Sequence, residues 1–358
     1  MAGMSGKRND VIDAFRGVAI LSVMAFHYSV RWAPPDYASS NVYGYHHFYS
    51  PFLNLGALGV ELFFVISGLV IAMTVERSRD AMDFLAKRLA RLYPAFLVAM
   101  LLTFAVTHFA SLPSFRTSFW DLPGNLTMVP GEFRIRAVDG AYWSLAWELE
   151  FYLLVAIAFF FFRTNFWMPI TVLTCLAVPL RWIGFHADML DRLLVARYAP
   201  LFLLGIGGWL LLFKGRRREG SAVLAVAIVL CAFNMGNYAT HGMPIWAVSA
   251  YITGGVALMF ILLHTGISFG PLTWIGRISY SLYLIHENIG VIIIRHLVSA
   301  GVPDMAAAGA AAFLCIGLAA AMFYIVEGRG KAIFLRVYSE VRSQFTRPAV
   351  AAAVDYPT

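Results

Sequence analysis

The chain has 358 residues, of which 60% are hydrophobic and only 13% are charged. Soluble domains average about 45–50% apolar and about 25% charged residues, so this sequence lacks the polar surface that a soluble protein of its length needs. Composition therefore excludes a soluble enzyme, a disordered chain and a disulfide-rich scaffold. It predicts an all-α, polytopic membrane protein, because helices satisfy their own backbone hydrogen bonds in lipid.

Ten apolar stretches approach the length of about 20 residues that a membrane-spanning helix needs. They are residues 11–32, 54–75, 89–110, 143–162, 166–184, 198–213, 221–236, 244–264, 276–298 and 305–327. The sequence thus predicts a short N-terminal segment over 1–10, one transmembrane domain over 11–327 and a basic C-terminal tail over 328–358.

The distribution of basic residues predicts the orientation. With both termini in the cytoplasm, about two thirds of the 27 Lys and Arg residues fall in cytoplasmic segments, as the positive-inside rule requires. The largest outer segments, about 33–53 and 111–142, are rich in aromatic residues, Pro and Gly, which suits ligand binding. The basic residues lie in short loops, so no nucleic-acid partner is expected. The three cysteines lie in apolar runs without ligand spacing, so no metal site is expected.

The first span carries Asp13, Arg16 and His27, three ionisable residues in an apolar segment. Such residues are costly in a membrane and usually face a cavity or a partner. Asp13 and Arg16 are three residues apart and can pair. Arg16 and His27 share one helix face, about 16 Å apart along the axis. The pattern indicates a functional stripe; a structural ion pair with an interfacial His is the alternative.

Charged residues near the second and third spans allow two interpretations each. Glu61, near the outer end of the second span, either belongs to a site or is simply exposed. Arg88 and Arg91 lie three residues apart at the cytoplasmic boundary of the third span. Their guanidinium groups match phosphate oxygens, which suits a phosphorylated ligand. A basic cluster that sets topology and contacts lipid phosphates is the alternative.

Near the start of the fourth span, Glu148 lies between aromatic residues that include Trp143 and Tyr152. These aromatics fit either a membrane-interface belt or the mouth of a sugar-binding site. In the ninth span, Tyr283 and His286 share one helix face. A histidine near mid-span indicates a site, although a hydrogen-bonded contact between helices would also explain it.

Six segments, in this order, resemble the motifs of acyltransferase family 3, a family of integral membrane acyltransferases. They are IDAFRGVAILSVMAFHY, GVELFFVISGLVI, KRLARLYP, WSLAWELEFY, FLLGIG and ISYSLYLIH. The resemblance runs from Ile12 to about Glu327. The chain departs from the family pattern at Glu287-Asn288 and at Gly328, where the family often has proline.

This resemblance implies an enzyme that moves an acyl group, usually acetyl from acetyl-CoA, to a hydroxyl of a glycan or related acceptor. It implies that His27 is the catalytic histidine and that Arg16, Arg88 and Arg91 contact the acyl-CoA. The expected location is the inner membrane of a bacterium, with the lipid bilayer as the protein's surroundings.

The residues themselves suggest a mechanism. Imidazole titrates near neutral pH, so His27 is suited to take a proton from an acceptor hydroxyl. Asp13 is expected to hold Arg16, and Glu148 to orient the acceptor or His27. Direct transfer with His27 as base is the simplest route, and an acyl-histidine intermediate is the alternative.

Five residues are expected to contact the substrates: Trp143, Tyr152, Glu61, Tyr283 and His286. Two other functions remain open from the sequence. One is a proton-coupled transporter, and the other is a relay that carries acyl groups across the membrane for a second enzyme.

Overall fold

The computed structural model describes residues 9–29, 51–110, 115–239 and 243–346. Within these ranges the secondary structure is helical, with no β-strand. Helices of eight or more residues are numbered in chain order: α1 Asp10–Ser29, α2 Gly59–Glu76, α3 Ala81–Phe109, α4 Trp143–Phe162, α5 Trp167–Trp182, α6 Ala187–Leu194, α7 Ala199–Leu212, α8 Arg217–Tyr238, α9 Ile245–Thr265, α10 Gly270–Ile285, α11 Asn288–Ser299, α12 Asp304–Met322 and α13 Gly328–Thr346. The predicted all-helical membrane class is confirmed.

Eight of the described helical segments are long and apolar enough to cross a membrane, and the pair α10 and α11 makes a ninth. The axes of this pair are bent by 75°. The predicted span 276–298 is therefore two helices, broken at residues 286–287. The predicted span 166–184 is α5, which has 16 residues and is shorter than the other spans. The structure thus has eight or nine full-length spans instead of ten.

The last apolar helix does not end at residue 327. A single π-helical turn, Phe323–Glu327, joins α12 to α13, so the predicted tail begins as a helix. Helix α13 packs along α3. At its far end, Arg342 Nη2 donates to Asp80 Oδ2 at 2.5 Å, and this hydrogen bond lowers the pKa of Asp80.

Helices α1 and α10 run side by side in the same direction and approach very closely. A Cβ atom added to Gly276 would lie 1.6 Å from the Asp13 carbonyl oxygen, and one added to Gly17 would lie 2.2 Å from the Leu272 carbonyl oxygen. Small residues at such crossings let two backbones touch, which is how membrane helices commonly associate. This contact fixes the polar stripe of α1 against α10.

We expect Gly276→Ala to lower the stability of the protein by at least 1–3 kcal/mol, the usual cost of overpacking, because the new methyl group would overlap the α1 backbone. The measurement is the temperature at which half of the detergent-solubilised protein leaves the monodisperse peak in size-exclusion chromatography. Gly309→Ala in α12 is the matched control, since its Cβ would meet nothing within 4 Å. Equal midpoints for the two variants would show that the crossing is looser than described.

The connection between α3 and α4 returns deep into the helix bundle. Arg88 Nη2 lies 3.3 Å from Glu148 Oε1. Arg88 lies about 30 Å before the end of α3 along the helix axis, at 1.5 Å per residue, whereas Glu148 lies only about one and a half turns into α4. The chain must therefore descend beside α3 before α4 begins. The Tyr93 hydroxyl, which donates to the Leu126 carbonyl at 3.2 Å, lies along this descent.

The predicted outer segments are described only in part. Residues 30–50, which make up most of the predicted loop 33–53, lie outside the described residues. The same holds for residues 111–114 of the loop 111–142.

Candidate active site

A cavity of about 70 Å³ lies between α1, α2, α3, α4 and α10. Four charged side chains line it, and they are Arg16, Arg88, Arg91 and Glu148. The rest of its wall is hydroxyl-bearing and apolar: Val60, Phe63, Phe64, Ser67, Leu92, Ser144, Leu145, Ser279, Tyr280 and Tyr283. The structure thus brings together the three arginines that the sequence singled out, and we call this space the arginine cavity.

Glu148 is held on the arginine side of the site. Its Oε1 accepts from Ser67 Oγ at 2.8 Å, lies 3.3 Å from Arg88 Nη2 and also accepts from the Tyr152 hydroxyl. The Arg88 guanidinium lies 4.5 Å from the centre of the Tyr152 ring. Tyr152 therefore supports Arg88 and Glu148 from behind the cavity. Glu148, expected from the sequence to orient the acceptor or His27, contacts Arg88.

Arg91 pairs with the last intramembrane carboxylate of the chain. Arg91 Nη1 donates to Glu327 Oε2, and the Ser281 hydroxyl donates to Glu327 Oε1 at 2.7 Å. The π-helical turn that ends at Glu327 widens the helix by one residue, a feature often found at functional sites. The Arg91 guanidinium also lies 5.4 Å from the centre of the Tyr280 ring. The largely buried Glu148 and the buried Glu327 thus pair with the two arginines of α3.

Arg16 pairs with Asp13 as their spacing predicts, with Nη1 and Oδ1 3.7 Å apart. The Asp13 side chain is only 2% exposed, and its Oδ2 lies 4.0 Å from Arg277 Nε. A second cavity, of about 160 Å³, opens at the N-terminal end of α1 and is lined by Asp13, Arg16, Thr74 and Arg77 among others. Arg16 therefore lines both cavities, and the other arginines that line them are Arg88, Arg91 and Arg77.

His27 does not line the arginine cavity. Its ring centre lies 5.0 Å from that of His286, which lies 5.6 Å from that of Tyr283 on the cavity wall. His27 Nδ1 lies 3.6 Å from Glu287 Oε1, with side-chain exposures of 8% and 12%. The catalytic histidine expected from the sequence is thus placed one layer beyond the arginines, beside the break between α10 and α11.

The end of the α3–α4 connection is fixed to this helix break. Asp139 Oδ2 accepts from the Asn288 backbone N–H at 3.1 Å, and Asn288 Nδ2 donates to the Val138 carbonyl at 2.8 Å. The Tyr142 hydroxyl donates to the Leu284 carbonyl at 3.1 Å. Burial, and then the charge of Glu287, raises the pKa of Asp139. Polar groups exposed by the helix break are thereby satisfied by residues 138–142.

Trp143 and Glu61 lie to one side of the arginine cavity. Trp143 is 40% exposed, and its ring packs against Phe64 at 6.4 Å and Tyr198 at 5.8 Å between centres. Glu61 is 7% exposed, so the sequence alternative that it is simply exposed is wrong. Its Oε2 makes no hydrogen bond to any described residue. Of the five expected substrate contacts, the cavity wall includes Tyr283 but not Trp143, Tyr152, Glu61 or His286.

Comparison with known families identifies the chain. The acyltransferase domain of acyltransferase family 3 matches residues 9–326, which is nearly the whole sequence. The chain belongs to acyltransferase family 3. Together with its membrane-spanning helices, this makes it an integral membrane acyltransferase with an acyl donor and a hydroxyl-bearing acceptor.

Several curated proteins are similar to this acyltransferase. The exopolysaccharide production protein ExoZ of Rhizobium meliloti is 27% identical, over 77% of this chain and 89% of its own length. The putative membrane-bound transacylase BcsY of Komagataeibacter xylinus is 26% identical, over 90% and 83%. The O-acetyltransferase OatA of Staphylococcus aureus is 24% identical, over 82% of this chain and 52% of its own length. No solved structure gives a significant match.

The sequence alone gave no role in this candidate site to three polar residues. Glu287 contacts His27, Asp139 binds the helix break, and Ser67 binds Glu148. Glu287 could have been found, because it is a carboxylate within an apolar segment. Asp139 and Ser67 lie far along the chain from their partners and have no comparable signal. Across the described ranges, no cluster of three His, Cys, Asp or Glu side chains could hold a metal ion.

Proposed function

We propose that this acyltransferase moves an acyl group from a cytoplasmic acyl-CoA to a hydroxyl of a carbohydrate, with His27 as the base. Acetyl-CoA is the donor that we expect. One observation carries the proposal: three arginines line one cavity, and His27 lies farther along the helix that supplies Arg16. The arginines then match the phosphates of the donor, and His27 matches the reacting hydroxyl of the acceptor.

Donor binding uses the arginine cavity. Each guanidinium has five N–H donors, and a carboxylate partner occupies only some of them. Arg88 and Arg91 can therefore keep Glu148 and Glu327 and still bind phosphate oxygens. Arg16, about 16 Å before His27 along the axis of α1, lies on the route that the extended pantetheine arm would follow. The thioester would then reach the layer of Tyr283 and His286.

The transfer step follows from the position of His27. The imidazole takes the proton from the acceptor hydroxyl, and the hydroxyl oxygen attacks the thioester carbonyl. The carbon–sulfur bond breaks, the new ester forms, and the proton passes to the leaving CoA thiolate. Atoms and charges balance without a covalent intermediate.

The orientation proposed here has both termini in the cytoplasm of a bacterial cell. The excess of Lys and Arg in the segments on that side supports it. In this orientation the arginine cavity is nearer the cytoplasm, where acyl-CoA is made, and His27 is nearer the outer face. Donor and acceptor would then approach the same site from opposite sides of the membrane.

A carbohydrate is proposed as the acceptor on two grounds. ExoZ is named for exopolysaccharide production, and OatA and the protein of Shigella phage Sf6 are named as O-acetyltransferases. Near the site, the ring of the exposed Trp143 packs against Phe64, three residues along α2 from the buried Glu61. Aromatic faces beside carboxylates suit the apolar faces and hydroxyls of a sugar ring.

The proposal is tested by incubating inverted membrane vesicles from expressing cells with acetyl-CoA labelled in the acetyl group. We expect CoA release together with labelled glycan, and neither in vesicles from cells that lack the protein. Consumption of acetyl-CoA with no labelled glycan would favour the acyl relay instead. Absence of both, with solute flux in liposomes that contain the purified protein, would favour a transporter.

A further inference from the structure

We infer that Glu287 is the residue that positions His27 and stabilises its protonated form during transfer. The inference rests on the proposed role of His27 as the base. The contact that carries it joins His27 Nδ1 and Glu287 Oε1, 3.6 Å apart, in surroundings that exclude most water from both side chains. This distance is longer than a hydrogen bond, but such contacts commonly tighten when a substrate binds.

The chemistry of imidazole explains what a carboxylate does at Nδ1. A ring that donates its Nδ1 hydrogen to a carboxylate keeps the lone pair on Nε2, which is then free to accept a proton. Once that proton arrives, the ring carries a positive charge, and the nearby carboxylate stabilises it. Glu148 does not serve His27 in this way, because its Oε1 is engaged with Ser67, Arg88 and Tyr152.

The backbone around Glu287 is built to hold this side chain in place. Glu287 lies in the break between α10 and α11, so it is not constrained by a continuous helix. Gly140 packs directly on its carboxylate, since an added Cβ would lie 2.6 Å from Oε1. The next residue, Asn288, is fixed to Asp139 and Val138 by two hydrogen bonds. The segment 138–140 therefore presses Glu287 toward α1.

Other titratable groups face the pair and do not replace Glu287. They come from α1, from α10, from the segment before α4 and from α12, and they are Tyr28, Tyr283, His286, Asp139, Tyr142 and Cys315. Asp139 is the one acid among them, and its two oxygens accept from the backbone N–H groups of Ala141 and Asn288. His286 Nδ1 lies 2.8 Å from the Tyr283 carbonyl and offers no negative charge.

The test is the pH–rate profile of acetyl transfer in permeabilised vesicles that contain the full-length protein, with labelled acetyl-CoA as the probe. In the wild type, activity falls at low pH as His27 takes up a proton. Glu287→Gln removes the charge and keeps the shape, so we expect the acidic limb to move to lower pH by about one unit. We also expect the plateau rate to fall about ten- to hundredfold, because the imidazolium loses its partner.

Two further variants separate positioning from a structural role. Glu287→Asp keeps the charge and should restore most of the wild-type position of the limb. Gly140→Ala displaces the carboxylate without changing any titratable group, and it should move the limb in the same direction as Glu287→Gln. If Glu287→Gln does not fold, the pH–rate profile of Gly140→Ala still tests the role of Glu287. Glu148→Gln should lower the rate and leave the limb where it is, because Glu148 contacts Arg88 and not His27.

The outcomes distinguish this inference from the proposed function. An acidic limb that stays in place in both Glu287→Gln and Gly140→Ala, while His27→Ala is inactive, would overturn the role of Glu287 alone. Full activity of His27→Ala would overturn the base itself, and the role of Glu287 with it. A limb that moves in both variants and returns in Glu287→Asp supports the inference.

Discussion

Replacing His27 by alanine lowers the rate of acyl transfer by about two to four orders of magnitude, the usual contribution of a positioned general base. The side chain is buried beside Glu287 and His286. The measurement is the transfer of labelled acetyl from acetyl-CoA to glycan in vesicles, normalised to the amount of folded protein. A covalent acyl-histidine route predicts the same loss, and a labelled protein band in a rapid quench would reveal that route.

The control for this prediction is His296→Ala. His296 lies on α11, close along the chain to the helix break, and it is exposed, with its Nδ1 2.8 Å from the Ile292 carbonyl. We expect it to retain wild-type activity and abundance. Full transfer by His27→Ala at normal abundance would contradict the proposed base.

The sequence predicted the parts of this protein that depend on local pattern. Apolar length predicted helical structure in all ten proposed spans, although the span 276–298 is two helices, and helical spacing predicted the Asp13–Arg16 pair. The resemblance to acyltransferase family 3 implied one function for Arg16, Arg88 and Arg91, and they line one cavity. Helix breaks were harder to predict, because residues 286–287 lie in an apolar run that reads as continuous. At the bend, the Asn288 backbone N–H donates to Asp139 and the Asn288 side chain donates to the Val138 carbonyl, and both partners come from a distant part of the chain.

The sequence also could not predict which side chains pair with Glu148 and with His27. Glu148 stood near the expected mouth of the site and was expected to orient the acceptor or His27. Because the chain descends into the bundle before α4 begins, Glu148 lies at the level of Arg88 and pairs with it. The bend after α10 brings Glu287 to His27 instead. Both results depend on how loops return into the bundle, and residue periodicity carries no information about such returns.

Replacing Arg88 by alanine lowers both stability and activity, and the two effects can be separated. Arg88 and Glu148 form a buried pair with side-chain exposures of 7% and 15%. Removing one partner of such a pair usually costs about 3–5 kcal/mol, because the other charge remains buried without compensation. We therefore expect Arg88→Ala to accumulate poorly and to melt well below the wild type in detergent.

The double variant Arg88→Ala with Glu148→Gln removes the uncompensated charge, so it should recover much of the lost stability. It should not recover transfer, because the guanidinium that we assign to the donor phosphates is still absent. Arg88→Lys keeps a positive charge without the planar fork, and we expect it to fold and to need a higher acetyl-CoA concentration for half-maximal rate. Recovery of both stability and transfer in the double variant would show that Arg88 serves only to neutralise Glu148.

An exposed ion pair provides the matched control for this series. Arg336 and Glu340 lie on α13 with Nε and Oε1 3.0 Å apart, and their side chains are largely exposed. Pairs of this kind contribute about 0–1 kcal/mol, so Arg336→Ala should change neither the melting temperature nor the rate. The contrast follows from burial, because both pairs join an arginine to a glutamate but only the pair inside the bundle is shielded from most water. A donor site inside the bundle that uses arginines therefore needs carboxylates to balance their charge, and Glu148 and Glu327 do this for Arg88 and Arg91.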